Sequence, residues 1–169
     1  MTVAASDPML ICYDGSDGAR HAIDVAGSLF AGRRALVLSV WTPFSSMYVG
    51  YPLAVWPTID SAPLRDRAEA LAAEGSARAH AAGLAASPLA AEAVEGVAAT
   101  INDVADDNAA ALTVMGTRGL SGIRSVVLGS VSHAVAQHTH RPLLVVPSAP
   151  LAAARAQAVN SLRSVVATA

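Results

Sequence analysis

The sequence predicts an α/β fold, a doubly wound five-stranded parallel sheet with helices on both faces. Three observations carry this expectation. Five short apolar runs alternate with longer helix-like segments, the pattern of parallel strands joined by helical crossovers. Runs such as LTVM and LLVV are apolar throughout instead of alternating with polar residues, as strands buried on both faces should be. The intervening segments carry their own helix start and stop signals.

The strands are placed at Met9–Tyr13, Ala35–Trp41, Pro88–Val94, Ala111–Met115 and Leu143–Val146. Ser16 or Asp17 can cap the first helix, in which Ala19, Ile23, Ala26 and Phe30 recur at helical spacing, and Gly32 follows as the C-terminal cap. The second helix starts near Ser61 with Pro63 in its first turn, runs through an alanine-rich stretch and stops at Gly83. The third is expected over Val97–Ala109, with Val97, Ile101, Val104 and Ala105 on one face. The fourth begins at Ser130, with Val131, Ala134, Val135 and His138 turned inward.

Two segments stand outside this alternation. Between Trp41 and Thr58 a loop collects Trp41, Phe44, Tyr48, Tyr51 and Trp56, and only Tyr13 and Phe30 are aromatic elsewhere. Because it follows a strand it lies on the expected ligand side, either as a lid or partner surface or as a satellite core over the sheet end. After Pro147, Leu151, Val159, Leu162 and Val166 could form a helical stripe, although alanine-rich tails also fray. The expected organisation is a flexible lead over residues 1–8, one domain over 9–147 and a helical or disordered extension over 148–169.

Composition narrows the chemistry. Of 169 residues 53% are hydrophobic and 14% charged, enough apolar material for one large core. The net charge is −2 and the basic residues are scattered, which argues against nucleic acid or an anionic membrane as partner. All 11 basic residues are arginine, so Schiff-base chemistry, a lysine phosphate clamp and a lysine general base are excluded. The single Cys12 rules out an internal disulfide and suits a reducing, cytoplasmic setting. No signal-peptide pattern opens the sequence, and no apolar run reaches the roughly 18 residues of a membrane span.

The most informative stretch is GTRGLSGIRSVVLGSVS, from Gly116 to Ser132. It places glycines just past the fourth strand and Gly129-Ser130 at a helix start, a geometry suited to polyphosphate. Glycines admit an anion close to the main chain, and the first N–H groups of the next helix are unpaired at its positive end. In the strand order 3-2-1-4-5, Asp14 at the end of the first strand faces Gly116 at the end of the fourth. The sheet reverses there, where open α/β sheets bind ligands. A carboxylate there can accept from ribose hydroxyls or a base amine, which makes Asp14 the adenosine-side contact. Arg118 and Arg124 flank the loop, where an arginine fork can pair with a phosphate, although such arginines are also commonly solvated.

Other constellations carry less. His133 and His138 are five apart on a helix and do not share a face, so no metal site is read from the histidines. Ser16, Asp17 and His21 crowd one helix start without a nucleophile elbow, which argues against a hydrolase triad. Cys12 reads as a small buried apolar side chain rather than a reactive thiol.

ICYDGSDGARHAI and the stretch from Gly116 to Pro147 resemble the opening and closing portions of a universal stress protein domain. That family's motif G-x2-G-x9-G-[ST] is matched by Gly116, Gly119, Gly129 and Ser130. The resemblance spans Met9 to Pro147 and implies the order 3-2-1-4-5. It further implies an adenosine contact from Asp14, a base contact from Val40, and phosphates held by the glycines with Ser130, Val131 and Ser132.

The expected function is therefore ATP binding by a stress-response regulator, with at most slow hydrolysis, and Mg or Mn held mainly through the phosphates is compatible with the loop. The alternative is a dimeric interaction module of the same fold with an empty loop. The last strand, Leu143–Val146, is apolar and at the sheet edge, and the resemblance implies a homodimer built along it. A downstream protein partner is expected without being identified.

Overall fold

In the computed structural model the described residues are 7–43, 60–117 and 129–167, with backbone alone for 158 and 161–167. The sheet comprises β1 (Met9–Cys12), β2 (Arg34–Trp41), β3 (Ala85–Glu92), β4 (Leu112–Gly116) and β5 (Leu143–Val146). All pairings are parallel, in the order β3-β2-β1-β4-β5. Central β1 pairs Met9 with Ala35 of β2 on one side and with Leu112 of β4 on the other.

Alternation along β1 divides the interior into two cores. Met9 and Ile11, with Tyr13 beyond the strand, join Val37 and Val114 against α1 (Asp17–Leu29) and α2 (Ala62–Ala81). Leu10 and Cys12 join Leu38 and Met115 against α3 (Val97–Asp107) and α4 (Ser130–His138). The last described helix, α5 (Ala149–Ala167), lies beside α1.

Capping follows local chemistry. Ser16 Oγ accepts the Ala19 N–H at 3.2 Å and starts α1. Behind α2, Gly83 sits at φ +88°; its N–H donates to His80 O, and Leu84 N–H donates to Ala79 O. This is the paired C-terminal closure that favours glycine.

Several boundaries differ from the sequence expectation, each for a local reason. β1 ends at Cys12, although Tyr13 N–H still donates to Leu38 O at 2.8 Å. β3 begins at Ala85 and stops at Glu92, so Pro88 is interior to it and Val94 is 77% exposed beyond it. An edge strand tolerates proline because no outer neighbour needs its missing N–H. Leu29 ends α1 and Phe30 caps it, two residues ahead of the expected glycine; Gly32, at φ +78°, instead turns the chain toward Gly83 O.

The end of α3 is Asp107, not Ala109. Ala109 N–H donates to Asp106 O and Ala110 N–H to Ala105 O, the closure seen behind α2, but with an alanine at φ +48° where glycine would signal the stop. On α4 the buried pair is Ser132 and Val135, while Val131 and His138 face solvent. Ser132 can be buried because its hydroxyl donates to the carbonyls of Thr117 at 3.1 Å and Gly129 at 3.0 Å.

Candidate functional site

The sheet reverses direction between β1 and β4, and a cleft of about 250 Å³ opens where their C-terminal ends part. Cys12 lines it from β1 and Tyr13 and Asp14 from the turn that follows, Leu38 and Val40 from β2, Met115 and Gly116 from β4. Val97 and Ile101 of α3 close one wall, the first turn of α4 with Gly129 another, and Ser16 and Ala19 of α1 complete the rim.

Adjacent residues at the end of β1 have opposite duties. Tyr13, 3% exposed, turns toward α2, where its hydroxyl donates to Glu74 Oε1 at 2.5 Å. Burial first and the Glu74 carboxylate second push the Tyr13 phenol up, while that same hydrogen bond is the main cause holding Glu74 below its ordinary value. Asp14 Oδ1 accepts the Ser16 N–H at 3.0 Å, an Asx turn that launches α1. Its second oxygen has no partner among the described residues and can accept from a ligand. Cys12 is held inert: burial, and then the charge of Asp14, push its thiol up to about 12.

The opposite side offers donors. The first bond inside α4 is His133 N–H to Gly129 O at 2.9 Å, so the N–H groups of Ser130, Val131 and Ser132 have no acceptor within the helix. These three amides sit at the positive end of the helix dipole and are suited to an oxyanion. Two groups that sequence alone would count as donors are already committed. The Gly129 N–H donates to Thr117 O at 2.7 Å, and the Ser132 hydroxyl bonds the two carbonyls described above. Both tie the start of α4 to the end of β4.

Gly116 is required by packing. A Cβ there would stand 2.9 Å from Gly18 C and 3.2 Å from Ala19 N, both main-chain atoms of the first turn of α1. This contact brings the N-termini of α1 and α4 to the same cleft.

Of the residues singled out in the sequence, Asp14, Val40, Gly116, Gly129, Ser130, Val131 and Ser132 come together here. Arg118, Gly119 and Arg124 lie outside the described residues, as do Phe44, Tyr48, Tyr51 and Trp56. Sequence reasoning missed Ser16 as a cleft residue, reading it as a helix cap and setting it aside as a triad member, and missed the apolar walls Leu38, Val97, Ile101 and Met115, which read as ordinary core. Among the described residues no group of three His, Cys, Asp or Glu could hold a metal ion, and no helix is long and apolar enough to cross a membrane.

Comparison with known proteins follows the same outline. A chain from Thermus aquaticus, the universal stress protein in the QAH/OAS sulfhydrylase 3' region, is 38% identical over 143 residues, covering 82% of this chain and 96% of its own. A universal stress protein solved in complex with cAMP superimposes with a TM-score of 0.58 at 26% identity, over 86% of this chain and all of its own (100%). The universal stress protein from Archaeoglobus fulgidus in complex with dAMP shares the fold, with a TM-score of 0.63 at 16% identity over 85% of this chain and 99% of its own. The model of the universal stress protein family matches residues 6–147, from just before β1 to just after β5, and the chain belongs to that family.

Proposed function

We propose that the chain binds an adenine nucleotide, ATP in the first instance, in the cleft between β1 and β4 and acts as a nucleotide-dependent regulator in the stress response. The observation that carries this reading is the pairing of opposite chemistries across one cleft. Asp14 offers a carboxylate oxygen to sugar hydroxyls, and the amides of Ser130, Val131 and Ser132 offer donors to phosphate. Val40, with Leu38, Val97 and Ile101, supplies an apolar slot of the kind a purine ring fills. The two relatives solved with cAMP and dAMP support an adenine ligand.

In this reading Gly116, Gly119 and Gly129 let the chain pass close to the phosphates, and Arg118 adds a cation at their edge. Mg or Mn is held mainly by phosphate oxygens and water. Hydrolysis is at most slow: the chain has no lysine, and Asp14, the one carboxylate among the described residues lining the cleft, is assigned to the sugar. The protein works in the cytoplasm as a homodimer paired along β5, whose outer edge has no strand beside it among the described residues. An unidentified protein reads the nucleotide state.

Mass spectrometry of the denatured purified protein tests for co-purifying nucleotide, and calorimetry with ATP, with and without magnesium, tests for binding. Saturable binding at one site per chain is expected, and it should be lost in Gly129→Val while the dimer persists. A blank in both measurements would overturn the nucleotide reading and leave a dimeric interaction module.

A further inference from the structure

The rim of the cleft contains a buried hydroxyl that the family motif does not use. Ser16 is 8% exposed and lines the cleft. Its oxygen accepts the Ala19 N–H at 3.2 Å, which fixes that oxygen at the head of α1. A serine hydroxyl also has a proton to donate, and no carbonyl or carboxylate among the described residues accepts it. Ser132 is the opposite case, its proton being held by two carbonyls.

Position selects the ligand atom. Ser16 lies two residues beyond Asp14 and begins the helix turn that touches Gly116, so it stands between the sugar side of the cleft and the α4 side. The carboxylate of Asp14 can only accept, which suits sugar hydroxyls and repels phosphate. The Ser16 proton can donate, at the positive end of α1, which suits an anion. A hydrogen bond to a charged oxygen is also roughly twice as strong as one to a neutral group.

Resting on the nucleotide reading above, we infer that Ser16 donates its hydroxyl proton to the phosphate esterified to the ribose, and so distinguishes a nucleotide from a nucleoside. Asp14 and Ser16 then divide the ligand between them, one accepting from the sugar and the other donating to the first phosphate.

AMP and adenosine are titrated by calorimetry, or by displacement of a fluorescent nucleotide, into the full chain and into its Ser16→Gly, Ser16→Ala and Ser16→Thr variants. Glycine is the decisive substitution because it starts a helix nearly as well as serine while removing the hydroxyl. AMP affinity should fall about tenfold in Ser16→Gly, the loss expected for one hydrogen bond to a charged group. Adenosine affinity should stay within about twofold, and Ser16→Thr should restore most of the AMP affinity. Unchanged AMP binding in Ser16→Gly overturns the assignment, and so does an equal loss for AMP and adenosine, which would reduce Ser16 to a helix cap. An unaltered chain that binds neither ligand would refute the nucleotide reading and this assignment with it. That outcome is distinct because it appears before any substitution.

Discussion

Replacing Gly116 with alanine tests whether the glycine serves the fold as well as the ligand. The added Cβ would lie 2.9 Å from Gly18 C, 3.1 Å from Gly18 O and 3.2 Å from Ala19 N. Relaxed carbon contacts need about 3.5–4.0 Å, so the first turn of α1 must retreat by roughly half an ångström or more. The obstacle is main chain, and no rotamer change can relieve it. Overpacking of this kind costs about 1–3 kcal/mol, and the stiffer unfolded chain returns about 0.4–1 kcal/mol. A net loss of about 1–2 kcal/mol is expected, which for a domain of this size lowers Tm by about 3–6 °C. Urea unfolding reads it as a lower midpoint with an unchanged slope. Nucleotide affinity should fall too, because Ser16 moves with α1. A variant with the midpoint of the unaltered protein would refute the reasoning, since the close approach of α1 to β4 would then carry no energetic weight.

Three further outcomes are expected. Ala109 adopts φ +48° at the closure of α3, so Ala109→Gly should raise stability by about 0.5–1 kcal/mol in thermal or urea unfolding. The Cys12 thiol, at about 12, should be alkylated at neutral pH at least about 30-fold more slowly than a free cysteine; mass spectrometry of iodoacetamide-treated native protein measures this. The depressed Glu74 stabilises the fold above the unfolded carboxyl value and loses that contribution as pH falls through its folded value, whereas the raised Tyr13 contributes below the unfolded phenol value and loses it as pH rises through its folded one. The stability gap between the unaltered chain and Tyr13→Phe should therefore be widest near neutrality and close toward acid and alkali, as read from unfolding midpoints across pH.

What was legible in the sequence depended on whether one physical signal dominated. The runs at β4 and β5 are apolar on both faces because helices cover both sides, and no competing pattern obscures them. β3 was harder: AASPLAAE is an alanine-rich edge strand with a proline inside, and residues with weak strand preference form it because β2 provides a full ladder of partners. The end of α3 was hidden because Ala109 does what a glycine would normally advertise. At the site, Asp14 and the glycines stood out because polar and flexible residues at strand ends have few structural reasons to be there. Ser16 was hidden behind a second duty as a cap, and Leu38, Val97, Ile101 and Met115 behind their likeness to core. A cleft wall and a core position call for the same apolar side chains, and only the parting of β1 from β4 distinguishes them.

The turn that carries Asp14 is held from the side of the sheet away from the ligand. Tyr13 points to α2, where its ring lies against the bare Cα of Gly75; a Cβ there would come within 2.8 Å of both Tyr13 Cγ and Val37 Cγ1. Gly15, at φ +79°, turns the chain over Leu71, and the Tyr13 hydroxyl is fixed by Glu74. Arg20 reaches Glu74 at 3.4 Å and Arg78 reaches Asp24 at 2.6 Å, so α1 and α2 are joined along the same face. Ions this exposed add little stability individually, but they lie in register with the buried contacts and keep α2 seated. On the α3 and α4 side of the same turn, Val97, Ile101 and the first turn of α4 face it across the cleft. Because successive residues of a strand face opposite ways, Tyr13 can be fixed in the core while Asp14 remains available to a ligand. The position of α2 therefore sets the position of Asp14 without any residue of α2 entering the cleft.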